Sequence, residues 1–77
     1  MIIYLKEAEK SITAYDMPTR RRIIDAINKL PCGDIKLLRG KTNSFYRLRI
    51  GKYRIIFSID KEDYTIINVD TRGDVYK

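Results

Sequence analysis

The chain has 77 residues, 44% hydrophobic and 34% charged, with 16 Lys plus Arg against 10 Asp plus Glu, a net charge of +6, one cysteine and no histidine. That size gives one domain (residues 1–77) with a small core, and the composition excludes a disordered chain. The same counts exclude an internal disulfide and any chemistry built on histidine, so a proton acceptor or donor has to be Tyr, Lys, Asp, Glu or a group from outside the chain.

Ile2 to Leu5 reads as a short opening strand. From Glu7 the spacing changes, and Ala8, Ile12 and Tyr15 fall on one stripe of a helix. Asp16-Met17-Pro18 interrupts that helix; Asp16 is a good cap for a second one, and proline suits a first turn. Ile23, Ile24, Ile27 and Leu30 form the apolar face of this second helix, with Arg20, Arg21, Arg22, Asp25 and Lys29 around the remainder. Pro31-Cys32-Gly33 ends it.

Asp34 to Ser44 reads as a loop, and three strands follow at Phe45–Ile50, Tyr53–Asp60 and Tyr64–Val69, with Lys61-Glu62-Asp63 as the turn between the last two. The expected architecture is α+β: an N-terminal strand and a two-helix hairpin packed on a small antiparallel β-sheet, in the order βααβββ.

The segment Tyr46-Arg-Leu-Arg-Ile-Gly-Lys-Tyr-Arg54 concentrates function. Glycine at the first central position of a two-residue turn suits a tight hairpin, so Gly51-Lys52 predicts pairing of Ile50 with Tyr53, and then of Arg49 with Arg54 and Arg47 with Ile56. Alternation places Tyr46, Leu48, Ile50, Tyr53, Ile55 and Phe57 on one face under the helices. Arg47, Arg49, Arg54 and Ile56 share the other, solvent-facing one. Arg49 directly opposite Arg54 is a destabilising like-charge pair. The reading that makes sense of it is an anion site, with guanidinium groups donating to phosphate oxygens; the plain alternative is a basic strand face that discourages aggregation.

Arg72 and Tyr76 lie in a closing segment where Gly73 lets the chain turn back. Nearby cations would favour the phenolate of Tyr76 and make it a candidate base, against the simpler role of an aromatic anchor for the tail. The run Arg20-Arg21-Arg22 reads as the solvated side of a helix. No run is long enough for a membrane helix, and Met-Ile-Ile-Tyr-Leu leads straight into charged residues, so a cytoplasmic protein with no membrane partner is expected. No metal-spaced cluster, nucleotide loop or other cofactor motif is present in the sequence.

Across its length the chain resembles the RelE/ParE superfamily of type II toxin–antitoxin toxins. The residues that carry the resemblance are Lys-Glu-Ala-Glu-Lys at 6–10, Arg-Arg-Ile-Ile at 21–24, Lys-Leu-Leu-Arg-Gly at 36–40, the hairpin with Ile-Ile-Phe-Ser-Ile-Asp behind it, and Arg-Gly-Asp-Val-Tyr-Lys at 72–77. The resemblance implies a toxin that cleaves mRNA in the ribosome, or else, in the ParE-like branch, one that inhibits DNA gyrase. A binding-only member that represses its own operon with its antitoxin is a further alternative.

In the RelE-like branch the resemblance makes Arg47 and Arg49 the residues that bind the scissile phosphate. It makes Arg54, Arg72 and Tyr76 the catalytic set of a metal-independent endoribonuclease, without cofactor, that leaves 2′,3′-cyclic phosphate ends. Arginine stands at 47 and 49 where that branch has lysine, and arginine does not relay protons. The implied partners are a small acidic antitoxin, the ribosome and mRNA, with operator DNA reached only through the antitoxin.

Overall fold

The computed structural model describes residues 1–38 and 45–71. Among these, the chain runs β1 (Ile2–Tyr4), α1 (Lys6–Ala14), α2 (Met17–Asn28), β2 (Asp34–Leu38), β3 (Phe45–Ile50), β4 (Tyr53–Asp60) and β5 (Asp63–Asp70). The strands form one sheet in the order β1-β5-β4-β3-β2. The architecture is α+β, as expected, with two refinements. Asp34–Leu38 is a strand rather than loop, paired antiparallel with β3. The sheet is mixed rather than purely antiparallel, because β1 lies parallel to β5 at the edge.

The helices form for the reasons the spacing gives. Ala8 and Ile12 of α1, and Ile23 and Ile27 of α2, are the buried positions of their stripes. Asp16 caps α2 by accepting a hydrogen bond from the Thr19 amide at 3.3 Å, with Pro18 in the first turn. The corner between the helices is held from the other side by Arg20. Its guanidinium donates to the carbonyls of Thr13 (2.9 Å) and Tyr15 (3.1 Å), which satisfies acceptors that the end of α1 leaves open. Arg20 therefore departs from the solvated-face reading of the arginine run, whereas Arg21 and Arg22 are exposed.

The helical stripes meet the inner face of the sheet. Ala8, Ile12, Ile23, Ile27, Leu48, Tyr53, Ile55, Phe57, Ile66 and Val69 make one contiguous core. Each fully buried Ile, Leu or Phe contributes about 1.5–3 kcal/mol. Phe57 sits near the middle, stacked on Tyr46 with ring centroids 5.5 Å apart and tilted against Tyr64 at 6.1 Å.

Ile66 and Val69, both buried, are three residues apart on β5, which strict alternation forbids. A β-bulge resolves this: Phe57 pairs with Ile66 but Ile56 pairs with Asn68, leaving Ile67 as the extra residue. Beyond the bulge, Val69 faces the core and Asp70 comes opposite Arg54.

One backbone position admits little change. Gly33 has φ +132°, a region for glycine alone, and an added Cβ would stand 2.7 Å from Cδ1 of Leu48. We expect Gly33→Ala to destabilise the protein by about 1–3 kcal/mol in urea unfolding. The Asp16 cap has a pH signature. Its hydrogen bond to Thr19 holds the carboxyl below the ordinary aspartate range. The stability this adds is present above the unfolded-state pKa and is lost as pH falls through the lower folded value. Wild type should therefore exceed Asp16→Ala in thermal stability at neutral pH, with the margin shrinking below about pH 4, where the unfolded carboxyl titrates.

Candidate phosphate-binding face

The hairpin register is the predicted one. Ile50 pairs with Tyr53, Arg49 with Arg54, Leu48 with Ile55, Arg47 with Ile56 and Tyr46 with Phe57. Gly51 has φ +56° at the first central position of the turn, which a side chain resists. Arg47, Arg49 and Arg54 consequently share the face away from the helices.

Two features of that face differ from the expectation. The like-charge pair is not alone, because the strands on either side extend the row to Asp34–Arg49–Arg54–Asp70. Opposite charges on both flanks offset the repulsion that the hairpin would have by itself, so the pair is no longer an unexplained cost. The face is also less open than a three-stranded sheet would leave it. Ile56 is buried and the Arg47 side chain is only 16% exposed, on interior strands β4 and β3 that have neighbours on both sides.

The three arginines stand in different environments. Arg47 lies 3.8 Å from the Asp34 carboxylate, and its Nε is a buried donor without a hydrogen-bond partner among the described residues. Arg54 is half-buried with Asp70 as its cross-strand partner. Arg49, between them, is exposed, and among the described residues no hydrogen bond or ion pair engages it.

Arg49, Lys52, Tyr53, Arg54 and Thr71 line a concavity of about 190 Å³ at the hairpin end of the sheet. It is smaller than the roughly 300–1,000 Å³ of small-molecule pockets, a space for one charged group rather than a whole organic ligand. Lys52 lies over the Tyr53 ring at 5.6 Å, and Tyr53 meets Tyr15 edge-on at 5.2 Å. Arg22 of α2 comes to the same end of the molecule, its guanidinium 3.7 Å from where a Cβ on Gly51 would stand.

Of the residues singled out in the sequence, Arg47, Arg49 and Arg54 are brought together; Arg72 and Tyr76 lie outside the described residues. Asp34, Asp70, Lys52 and Thr71 were missed. The alternation Asp-Ile-Lys-Leu at 34–37 was the available sign of β2 and hence of Asp34. The position of Asp70 depends on the bulge and had no such sign.

Tyr4 and Tyr15 are poor bases. Burial pushes the Tyr4 phenol up, and burial followed by the Asp70 charge and Tyr53 pushes Tyr15 up. Among the described residues no three His, Cys, Asp or Glu side chains converge as a metal site would require. The face is therefore equipped with fixed cations and hydrogen-bond donors, suited to binding and stabilising an anion.

The sequence profile for the ParE toxin of type II toxin–antitoxin systems, parDE, matches residues 2–76. This chain belongs to that toxin family. Solved structures share its fold. A chain of the archaeal RelE–RelB complex from Pyrococcus horikoshii OT3 is 24% identical, with 96% of each chain covered and a TM-score of 0.75. A chain of the RelB–RelE antitoxin–toxin complex from Methanococcus jannaschii is 25% identical over 96% of this chain and 94% of that one, at a TM-score of 0.76. The isolated E. coli RelE toxin is 19% identical over 99% of this chain and 89% of its own, at 0.67. No curated protein sequence matches. The toxin thus sits within the RelE/ParE superfamily in both sequence and fold.

The arginines of this toxin divide by role, and stability measurements should separate them. Arg20→Ala removes charged hydrogen bonds to two carbonyls and is expected to lose about 1.5–3 kcal/mol. Arg49→Ala removes an exposed side chain and should stay within about 0.5 kcal/mol of wild type in the same denaturant titration.

Proposed function

We propose that this toxin is a ribosome-dependent mRNA endoribonuclease that stops translation in the cytoplasm and is neutralised by a cognate antitoxin. The observation that carries the reading is the cationic concavity where Arg49, Lys52 and Arg54 converge beside Thr71, the residue immediately before Arg72. The antitoxin reading draws on the Pyrococcus and Methanococcus neighbours, which are RelE–RelB complexes; a small acidic partner would complement the net charge of +6.

The chemistry that suits such a face is attack by a ribose 2′-oxygen on the adjacent phosphorus. The new P–O2′ bond forms as the P–O5′ bond breaks, giving a 2′,3′-cyclic phosphate and a 5′-oxygen that takes up a proton. Negative charge grows on the phosphoryl oxygens, and the arginines are placed to stabilise it. The 2′-OH proton must go to a group other than arginine, whose pKa exceeds about 12. Tyr76 or a ribosomal group fills that role, with Arg72 as a further cation. Operator DNA is contacted through the antitoxin, and the single toxin domain spans residues 1–77.

Inhibition of DNA gyrase is the second reading, favoured by the match to the ParE profile. Induction of the toxin without its antitoxin, with mapping of mRNA 5′ ends, separates the two. Cuts at fixed codon positions, lost in Arg49→Ala and Tyr76→Phe, are the expected result. Intact mRNA together with trapped gyrase and reduced supercoiling would transfer the assignment to the ParE-like activity. Normal growth with neither effect would leave a binding-only role in operon control.

A further inference from the structure

The two aspartates that flank the arginine row are placed to do more than neutralise it. The Asp34 carboxylate reaches Arg47 diagonally at 3.8 Å rather than engaging the facing Arg49. Asp70 is delivered opposite Arg54 by the bulge at Ile67; without the extra residue in β5, continuing the register from Phe57–Ile66 would put Val69 there. Arg47 thus has Asp34 as its ion-pair partner and Arg54 faces Asp70 in register, while Arg49, which faces Asp34 in register, is exposed and has no ion pair among the described residues.

We propose that Asp34 and Asp70 are positioning residues for the anion site: they hold Arg47 and Arg54 on either side of Arg49, so that a phosphate meets guanidinium groups already oriented toward it. The inference rests on the phosphate-binding reading of this face. At 3.8 Å, with the Asp34 side chain 66% exposed, the Asp34–Arg47 ion pair is long and solvent-facing on its acidic side, and it adds little to stability. Its value lies in geometry. A long, unrestrained arginine loses rotamer freedom when it grips a phosphate; one already restrained by a carboxylate loses less.

The sign of a charge-neutralising substitution separates this role from simple neutralisation. Asp34→Asn and Asp70→Asn each raise the net charge by one and, by charge alone, would tighten RNA binding. Positioning predicts the opposite. The probe is a fluorescently labelled single-stranded oligoribonucleotide of fixed sequence, titrated with full-length toxin over a range of salt concentrations, with thermal unfolding measured in parallel.

Wild type should bind with a salt dependence that Arg49→Ala reduces. Asp34→Asn and Asp70→Asn should weaken binding by about three- to tenfold, the scale of couplings between neighbouring charged groups. Asp70→Glu should recover part of the loss, and Asp34→Asn should leave the unfolding temperature close to wild type, so that its weakened binding is not a folding defect. Unchanged or tighter binding by the folded Asp34→Asn and Asp70→Asn variants, with Arg49→Ala still impaired, overturns positioning and leaves the phosphate reading standing. Binding by wild type that is indifferent to salt and to Arg49→Ala overturns both.

Discussion

The register of β3 against β4 governs the rest of the molecule, because strand side chains alternate with a period of two. A slip by one residue would turn Leu48, Ile55 and Phe57 out to water and drive the arginines into the core. The two-residue turn through Gly51 and the stacked Tyr46–Phe57 pair hold that register from the tip and from the far end of the hairpin. Once it is set, the helices have an apolar face to cover, and the charged residues are left together on the opposite side.

That opposite side is assembled by the neighbours of the hairpin as much as by the hairpin. Taken alone, β3 and β4 oppose Arg49 and Arg54, an unfavourable arrangement. Within the five strands described, Asp34 and Asp70 close the row, so its formal charges balance. The positive character of the site then resides in where the cations point and how exposed they are. Arg49, together with Lys52 at the turn, supplies that character, while Arg47 is largely withdrawn from water. Preorganised donors of this kind suit an anion whose charge grows during reaction, and they leave the proton to a different group.

Most of the architecture was legible because its signals are local and periodic. Ala8, Ile12, Ile23 and Ile27 repeat at helical spacing, Asp16 precedes Pro18 as a cap should, and the hairpin alternates around Gly51. The strand at Asp34–Leu38 was less legible, since a five-residue segment at a sheet edge with Leu37 half exposed resembles an irregular connection. Arg20 was misread for a related reason. Its place in a basic run says nothing of the carbonyls of Thr13 and Tyr15, which only the turn between the helices brings within reach.

By itself, the sequence determined the secondary elements other than β2, the hairpin register, the division of its side chains between core and charged face, and the resemblance to the toxin superfamily. These depend on spacing along a few consecutive residues. Tertiary structure alone decided that Asp34 and Asp70 flank the arginines, that Arg20 ties the helical corner, and that Arg49 is the exposed member of its trio. The Arg20 contact needs the turn between two helices, and the others need strands distant in the chain to meet. The placement of Asp70 needs, besides, one extra residue in β5, which shifts everything after it to the other face and leaves no local pattern from which to read it.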